Sequence, residues 1–237
     1  MKILGIDSST TTASVSLIQD SCILYETTND RTRTHSDKAL EMVDQVLKHA
    51  DCQLNEIDGF CVTSGPGSFT GLRVGVSLAK GLVMVVQKPL FGASTLEAVA
   101  RSIPRVEGPI CAFLDARKKQ VYAALFQYEG ETLERLSGDR AMNPEALCDE
   151  IIKPTIFVGS GLETYESFFR EQLGERFLDA PKPMQTIASS AALLGRSAFL
   201  SNSQTEINQL TIQYARKAEA EFKQPDITKK EGRSNGN

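Results

Sequence analysis

The chain begins with Ile3-Leu4-Gly5-Ile6-Asp7, and after five residues of Ser and Thr it continues with Ala13-Ser14-Val15-Ser16-Leu17-Ile18-Gln19. The same pattern returns 108 residues later, as Cys111-Ala112-Phe113-Leu114-Asp115 and then Val121-Tyr122-Ala123-Ala124-Leu125-Phe126-Gln127. In both copies an apolar strand that ends in an aspartate precedes a polar turn and a second strand, which is typical of a β-hairpin. The chain therefore predicts two related halves.

Alternating helical and extended patterns follow each hairpin. Helices are predicted over 36–50, 72–86, 94–102, 162–172 and 187–200, with another starting near 143, and strands over 22–26 and 155–158 and near 60 and 90. This alternation favours an α/β fold with mixed β-sheets flanked by helices. We expect two stacked lobes, 1–105 and 106–216, with a cleft between them. Residues 217–237 are polar and of mixed charge, and are predicted to form a disordered tail.

The composition limits the classes of function. The net charge is -4 and the pI is about 5.4, whereas a protein that binds nucleic acid unaided is more often basic. The five cysteines form no C-x-x-C pair and the two histidines lie fourteen residues apart, so no metal site is predicted. Reduced thiols and a strand directly after Met1 predict a cytoplasmic protein. The longest apolar stretch, 72–86, contains Lys80 and is short for a membrane span, so no membrane contact is expected.

The segment Thr63-Ser64-Gly65-Pro66-Gly67-Ser68-Phe69-Thr70-Gly71-Leu72-Arg73-Val74-Gly75 joins a predicted strand to the helix 72–86. Free amides at a helix start can hold an anion. The alternative is a tight turn that allows strand and helix to pack closely, with Ser68 or Thr70 as the helix N-cap. Neither a Walker A lysine nor a third glycine in a G-x-G-x-x-G motif is present, which favours the tight turn.

Asp7 and Asp115 end equivalent strands and have two interpretations. Each could position Mg²⁺ beside phosphates through water, or each could cap its own hairpin turn. No catalytic constellation is visible: Ser64, Ser68 and Ser160 have no identifiable histidine base, and G-x-S-x-G is absent. We therefore predict no catalytic residues in this chain.

The helix 72–86 suggests a partner surface. Small residues recur every fourth position, and apolar residues cover almost the whole circumference, whereas a helix on its own sheet needs only one apolar face. The helix 36–50 adds an apolar stripe of its own. Two such pairs of helices would form a four-helix interface in a dimer, and substitution of Gly75 is expected to weaken it without unfolding the monomer. The predicted interface residues are Leu40, Val43, Leu47, Gly71, Leu72, Gly75, Val76, Ala79 and Val83.

Two lobes that each open with a strand ending in Asp and a polar hairpin turn resemble the actin, hexokinase and heat-shock-ATPase superfamily. Its fold comprises two stacked actin-like (ribonuclease H-like) lobes whose hairpins hold nucleotide phosphates, with a glycine turn of the second lobe at the adenosine. The resemblance implies nucleotide contacts at Asp7, Thr10, Asp115, Arg117, Gly159 and Gly161. Kinase-like members usually carry glycine two residues after the second Asp, where this chain has Arg117.

A narrower resemblance covers residues 1 to about 216. The opening Ile3 to Thr10, the segment Ser64 to Gly75, and Leu114-Asp115-Ala116-Arg117 are similar to the TsaB family, also called YeaZ. So are the His35-Ser36 helix start and the closing Leu210-Thr211-Ile212-Gln213-Tyr214-Ala215-Arg216.

The family resemblance implies a non-catalytic dimerisation and scaffold subunit. It would support TsaD, with the ATPase TsaE, in threonylcarbamoylation of the adenosine next to the tRNA anticodon. It implies a heterodimer with TsaD, a homodimer without it, and tRNA contact only through the complex. By their charge, five residues are candidates for a local basic contribution, with an ordinary solvated surface as the favoured alternative: Arg31, Arg33, Arg117, Lys118 and Lys119. No cofactor is required by this chain alone, while ATP or ADP could bind at the junction with the partner. The rival interpretation is a small Mg-ATP-dependent kinase or phosphotransferase; a peptidase has no nucleophile or metal here.

Overall fold

The computed structural model describes residues 1–30 and 37–213, which form two β-sheets flanked by helices. Arg31, Arg33, the His35-Ser36 helix start, the end of the closing segment and the tail 217–237 lie outside the described residues. The fold is the mixed α/β architecture that the repeated hairpins predicted. Its elements follow the predicted order, with three additional short strands in the second half.

The first sheet has the strand order β3-β2-β1-β4-β5. Its strands are β1 (Lys2–Asp7), β2 (Thr12–Gln19), β3 (Cys22–Asp30), β4 (Gly59–Gly65) and β5 (Leu90–Ser94). β1 pairs antiparallel with β2 and parallel with β4. Leu4 and Ile6 face a core cluster shared with α1 (Asp37–His49) and α2 (Phe69–Val86), whereas Ile3 faces the opposite side, because successive side chains of a strand alternate between faces.

The second sheet has the strand order β11-β10-β6-β7-β8, with β9 also paired to β7. Its strands are β6 (Pro109–Arg117), β7 (Gln120–Glu129), β8 (Thr132–Arg135), β9 (Arg140–Met142), β10 (Thr155–Val158) and β11 (Phe177–Asp179). One face packs on α3 (Thr95–Ser102) through residues such as Val99 and Leu114. The other face packs on α4 (Pro144–Glu150) and α5 (Leu162–Leu173) through an aromatic cluster that includes Phe113 and Phe169.

The two sheets repeat one topology, as the sequence repeat predicted. In each, the hairpin is extended by a parallel strand beside its first strand, β4 beside β1 and β10 beside β6. The hairpins differ in register, since Asp7 pairs with Ser14 whereas Asp115 pairs with Val121, one position earlier in the repeat. The register shift falls between Asp115 and Arg117 and alters the second turn.

The last helix, α6 (Ile187–Leu200), packs on the first sheet, although the lobe prediction placed it with the second half. Gly5 allows this close approach, because a Cβ there would overlap the carbonyl oxygen of Ala188. Glu26 on β3 accepts hydrogen bonds from the backbone N–H (3.1 Å) and hydroxyl (2.9 Å) of Thr186 at the helix start. The chain passes from the first sheet to the second after α3 and returns before α6. A hydrogen bond of 2.8 Å from Met184 N to Ser102 O joins these two connecting segments. The division into lobes 1–105 and 106–216 thus separates the two sheets but not every helix.

The prediction that the small-residue stripe of α2 faces a partner was wrong. α2 connects two parallel strands of one sheet, so the stripe packs on that sheet and on the β1–β2 turn, and substitution at Gly75 is no longer expected to spare the monomer. Of the nine predicted interface residues, Leu40 alone is exposed, at 49%. The buried ones are Val43, Leu47, Gly71, Leu72, Gly75, Val76, Ala79 and Val83.

The packing of the small-residue stripe on the first sheet can be tested by substituting two glycines of α2 with alanine. A Cβ at Gly75 would overlap the Ser8 hydroxyl, whereas a Cβ at the exposed Gly81 would meet nothing within 4 Å. We expect Gly75→Ala to lower the free energy of unfolding by about 1–3 kcal/mol through overpacking. Gly81→Ala should raise it by about 0.5–1 kcal/mol, because alanine is the better helix former. Urea denaturation measures both, and equal effects of the two substitutions would contradict the assignment.

Candidate functional site

A cleft of about 580 Å³ lies between the two hairpin turns. One wall is formed by the β1–β2 turn and the glycine turn that precedes α2, and the other by the β6–β7 turn and the start of α5. The lining residues share a polar, hydroxyl-rich character: Ser9, Thr10, Thr11, Gly67, Ser68, Phe69, Leu114, Asp115, Ala116, Arg117, Tyr122, Ser160, Glu163 and Thr164. The structure therefore brings three of the six predicted nucleotide-contact residues, Thr10, Asp115 and Arg117, to one cleft.

Asp7 is buried and organises its own turn. Its Oδ1 accepts hydrogen bonds from Ser9 N (3.1 Å), Ser9 Oγ (2.6 Å) and Thr63 Oγ1 (2.7 Å). Thr63 belongs to β4, so the carboxylate ties the hairpin turn to the neighbouring strand. Hydrogen bonds to a carboxylate are roughly twice as strong as those between neutral groups. This geometry corresponds to the turn-capping interpretation of Asp7.

The glycine turn before α2, Gly65-Pro66-Gly67-Ser68, packs over the β1–β2 turn. Ser68 N donates to Ser9 O at 2.7 Å, and a Cβ at Gly67 would overlap that same carbonyl oxygen. Ser8 Oγ donates to Gly71 O at 2.8 Å. The Ser68 hydroxyl accepts from Gly71 N at 3.3 Å and is the N-cap of α2, one of the two predicted caps. The glycines thus allow two segments of this chain to pack together, as in the tight-turn interpretation.

The second hairpin turn has an unusual backbone. Arg117, Lys118 and Lys119 have φ angles of 62°, 52° and 60°, although none is glycine. Left-handed conformation costs roughly 1–2 kcal/mol for an ordinary residue. Arg117 therefore has a left-handed backbone that would suit glycine, the residue that the superfamily resemblance leads us to expect at this position. We call residues 117–119 the cationic tip.

Asp115 also caps its own turn. Its Oδ1 accepts from Arg117 N at 2.7 Å, and its Oδ2 lies 3.5 Å from Nη1 of the Arg117 guanidinium. The arginine side chain is 78% exposed and the aspartate side chain is 18% exposed. Burial raises the pKa of the nearby Tyr165 hydroxyl, and the Asp115 carboxylate raises it further. The second carboxylate thus neutralises a cation of its own turn at the edge of the cleft.

The Gly159-Ser160-Gly161 turn is required by packing on β6. Gly159 has a φ of 123°, and a Cβ there would overlap the carbonyl oxygen of Phe113. A Cβ at Gly161 would overlap the ring of Phe113. On the opposite wall, Thr10 Oγ1 donates to Thr12 O at 2.9 Å within its own turn. Backbone packing thus accounts for these glycines before any ligand is considered.

Two buried thiols and one buried hydroxyl lie on β4 and β6, the strands that lead toward the cleft. Burial raises the pKa of Cys61 and Cys111, so both thiols stay protonated at neutral pH. Ser64 Oγ donates to the backbone oxygen of Ala93 at 3.2 Å. Within residues 1–30 and 37–213 no group of three His, Cys, Asp or Glu side chains could hold a metal ion. The assignment of no catalytic or metal-binding residue remains a prediction.

A second concave surface lies between α1 and α2 on the outer face of the first sheet. This groove of about 330 Å³ is lined by Ala39, Leu40, Arg73, Val74, Ser77 and Leu78. Beyond it along α2, Met84 and Val85 are 72% and 75% exposed. The predicted stripe on these two helices is buried, whereas this groove is formed by other residues of the same helices, with Leu40 the one predicted residue that lines it. A partner surface on these helices stays a prediction.

Thr63 holds the Asp7 network and can be tested against a matched residue. Thr63→Val should lower the free energy of unfolding by about 1.5–3 kcal/mol, because a buried carboxylate loses a donor. Thr155→Val is the control, since the buried Thr155 hydroxyl donates to the backbone oxygen of Lys153 and its loss should cost about 0.5–1.5 kcal/mol. Thermal unfolding measures both variants. A smaller loss for Thr63→Val than for the control would show that the network is dispensable.

Comparison with known proteins places this geometry in a family. A family model described as "TsaD: tRNA N6-adenosine threonylcarbamoyltransferase" matches residues 23–225. A Bacillus subtilis protein named "tRNA threonylcarbamoyladenosine biosynthesis protein TsaB" is 30% identical over 230 residues, covering 94% of this chain and 97% of that protein. The match to this relative thus spans nearly the whole of both chains.

Two solved structures share the fold. YeaZ from Pseudomonas aeruginosa superposes with a TM-score of 0.76 at 23% identity, covering 90% of this chain and 99% of that one. A ROK hexokinase from Thermus thermophilus superposes with a TM-score of 0.51 at 13% identity, covering 81% and 98%. The fold is therefore that of the actin-like ATPase and hexokinase class. Within this class, the chain belongs to the TsaB (YeaZ) family.

α2 is the only helix among the described residues that is long and apolar enough, by length and composition alone, to cross a membrane. The helix begins at Phe69, three residues before the predicted start, so it is longer than the stretch 72–86 that the sequence analysis judged short for a membrane span. Its two ends continue into strands of one sheet, and its buried stripe belongs to the core of that sheet. This is the connection expected of a crossover helix between parallel strands. The compartment of the protein stays a prediction.

Proposed function

We propose that this chain is a non-catalytic scaffold subunit that supports a TsaD-type transferase in forming threonylcarbamoyladenosine next to the anticodon of tRNA. The assignment to this pathway is supported by the name of the B. subtilis relative and by the description of the matching family model. The chemistry belongs, in this proposal, to the partner. The chain itself needs no cofactor, and ATP or ADP binds where the two proteins meet.

The observation that carries the non-catalytic part is the packing of the glycine turn onto the first hairpin turn. In this chain the Ser9 carbonyl oxygen, the Ser8 hydroxyl and Oδ1 of Asp7 are all bonded to other groups of the protein. A kinase that used this turn for phosphate would need to present backbone and carboxylate groups to its ligand. Here the Ser8 hydroxyl, the Ser9 carbonyl and one oxygen of the Asp7 carboxylate hold the first lobe together instead.

The exposed face of α1 and α2 is the surface we assign to the partner. Its groove is apolar, and Met84 and Val85 extend the apolar surface along α2. The same face would pair with itself in a homodimer and with the corresponding helices of TsaD in the heterodimer, giving a four-helix interface. TsaE and tRNA join through the assembled complex.

A charge in this groove tests the interface. Leu40→Glu should leave the fold intact, because the side chain is 49% exposed, and should weaken association with TsaD at least about tenfold by burying an unpaired carboxylate. Ile152→Glu is the matched control, since Ile152 is 83% exposed on the second half of the chain. Light scattering after size-exclusion chromatography measures homodimer and heterodimer formation. Equal association of both variants would exclude this face.

Binding of Mg-ATP separates the scaffold from a kinase. A ligand at a hundred times its dissociation constant stabilises the folded state by about 2.7 kcal/mol, which is measurable as a rise in melting temperature. For the isolated chain we expect no such rise with Mg-ATP and no turnover. Reconstitution with TsaD, TsaE, threonylcarbamoyl-adenylate and tRNA should lose product when this chain is omitted. Stabilisation and turnover by the chain alone would favour the kinase.

A further inference from the structure

Phe69 lies on the cleft wall opposite the cationic tip. The phenylalanine is 42% exposed, and the Arg73 guanidinium carbon lies 3.8 Å from the centroid of its ring. Phe69 and Arg117 line the same cavity from opposite sides. The guanidinium thus lies over one face of the ring, and an aromatic ring combined with a planar cation is a platform on which nucleobases stack. We call Phe69 and Arg73 the aromatic platform.

The cationic tip carries a charge opposite in sign to the net charge of the chain. Its three residues are exposed, and so is Arg73, whose guanidinium lies over the Phe69 ring. The cavity lining itself holds one cation, Arg117, and two carboxylates, Asp115 and Glu163, and Asp115 is bonded to Arg117. The positive charge thus lies on Lys118 and Lys119, outside the lining, on a protein with a net charge of -4.

The two lysines of the cationic tip occupy backbone conformations that favour other residue types. A two-residue hairpin turn with positive φ at both central positions is best made by Asn-Gly. This chain has Lys118-Lys119 there, at φ angles of 52° and 60°. Residues held in unfavourable backbone conformations concentrate at binding and catalytic sites. The turn residues that this backbone favours are therefore absent from the tip, which presents two lysines instead.

We propose that the mouth of the interlobe cleft is a direct RNA contact of this subunit. An unpaired base stacks on the aromatic platform, and the neighbouring phosphates bind the cationic tip. The proposal rests on the proposed function, because that function brings a tRNA to the complex. It differs in giving this chain its own contact with the RNA.

An RNA strand fits this arrangement better than a single nucleotide does. Lys118 and Lys119 are absent from the cavity lining, so a nucleotide inside the cavity would reach Arg117 alone. A strand that crosses the mouth would pass all three cations of the tip. Arg73 also lines the groove between α1 and α2, so the platform adjoins the surface assigned to the transferase. An RNA held by that partner would therefore lie close to the platform.

Three variants of the full chain, each assembled with TsaD, test the contact. Lys118→Asn/Lys119→Gly removes two charges and supplies the preferred turn residues. Phe69→Leu removes the ring but keeps an apolar side chain. Lys88→Asn/Lys153→Asn is the control, because it removes two lysines away from the cleft. The probe is a fluorescein-labelled tRNA anticodon-arm RNA, with anisotropy measured over a series of salt concentrations.

The two site variants should fail in different ways. The tip variant should melt a few degrees higher, about 3 °C, since the strained turn is relieved. Its slope of log affinity against log salt should fall by about 1.4, the value for two lost phosphate contacts on single-stranded RNA. Phe69→Leu should bind about tenfold more weakly with an unchanged slope, because stacking is not electrostatic. The control should match the unsubstituted protein.

Several outcomes would overturn the proposal. An unchanged salt slope in the tip variant, or an equal change in the control, would show that the lysines do not touch phosphate. Displacement of the RNA by millimolar ATP would assign the cleft to a mononucleotide. If the complex with TsaD forms and modifies tRNA while the site variants bind RNA normally, this inference fails and the proposed function stands. If no complex forms, the proposed function fails.

Discussion

The first half of the molecule is organised by the contact between two turns that lie far apart in sequence. The Ser9 carbonyl accepts from Ser68 N, and the Ser8 hydroxyl donates to Gly71 O, so the β1–β2 turn lies beneath the start of α2. The Asp7 carboxylate joins the same turn to β4. Since these groups are buried, each needs a partner, and removing one partner would leave another unsatisfied. The direction of α2, and therefore its exposed face, follows from this contact.

The two halves share a topology but use their turns differently. In the first half the turn after the aspartate is covered by the chain, whereas in the second half it is an exposed cationic tip with three left-handed residues. Asp7 is bonded to hydroxyls and a backbone amide of its surroundings, while Asp115 is bonded to Arg117. The same hairpin turn thus stabilises the packing of the first lobe on one side of the cleft and forms an exposed charged surface on the other side. The two walls of the cleft therefore differ in their chemistry, although their topology is the same.

Local patterns were sufficient for most of the elements. The strands beside Asp7 and Asp115 and the helix 187–200 followed from alternation and helical spacing, and capping chemistry limited the cap of α2 to Ser68 or Thr70, of which the structure has Ser68. The short strands β8, β9 and β11 were missed, because their three or four residues are mostly exposed or half-buried and form no apolar run, unlike the four buried residues of β10, which were predicted. The assignment of a partner surface to the helices 36–50 and 72–86 stays a prediction. The face was wrong because spacing by four selects a stripe without indicating whether it meets its own sheet or a neighbour.

The sequence by itself determined the repeated hairpin, the α/β class and the likeness to the TsaB family, since these depend on short-range order and on motifs. Only the tertiary structure decided that Gly75 faces Ser8, that α6 returns to the first sheet, and that Phe69 and Arg117 line one cleft. The physical reason is that these relations join residues dozens of positions apart. Their geometry is set by how sheets and helices pack, which no local pattern of residue types encodes.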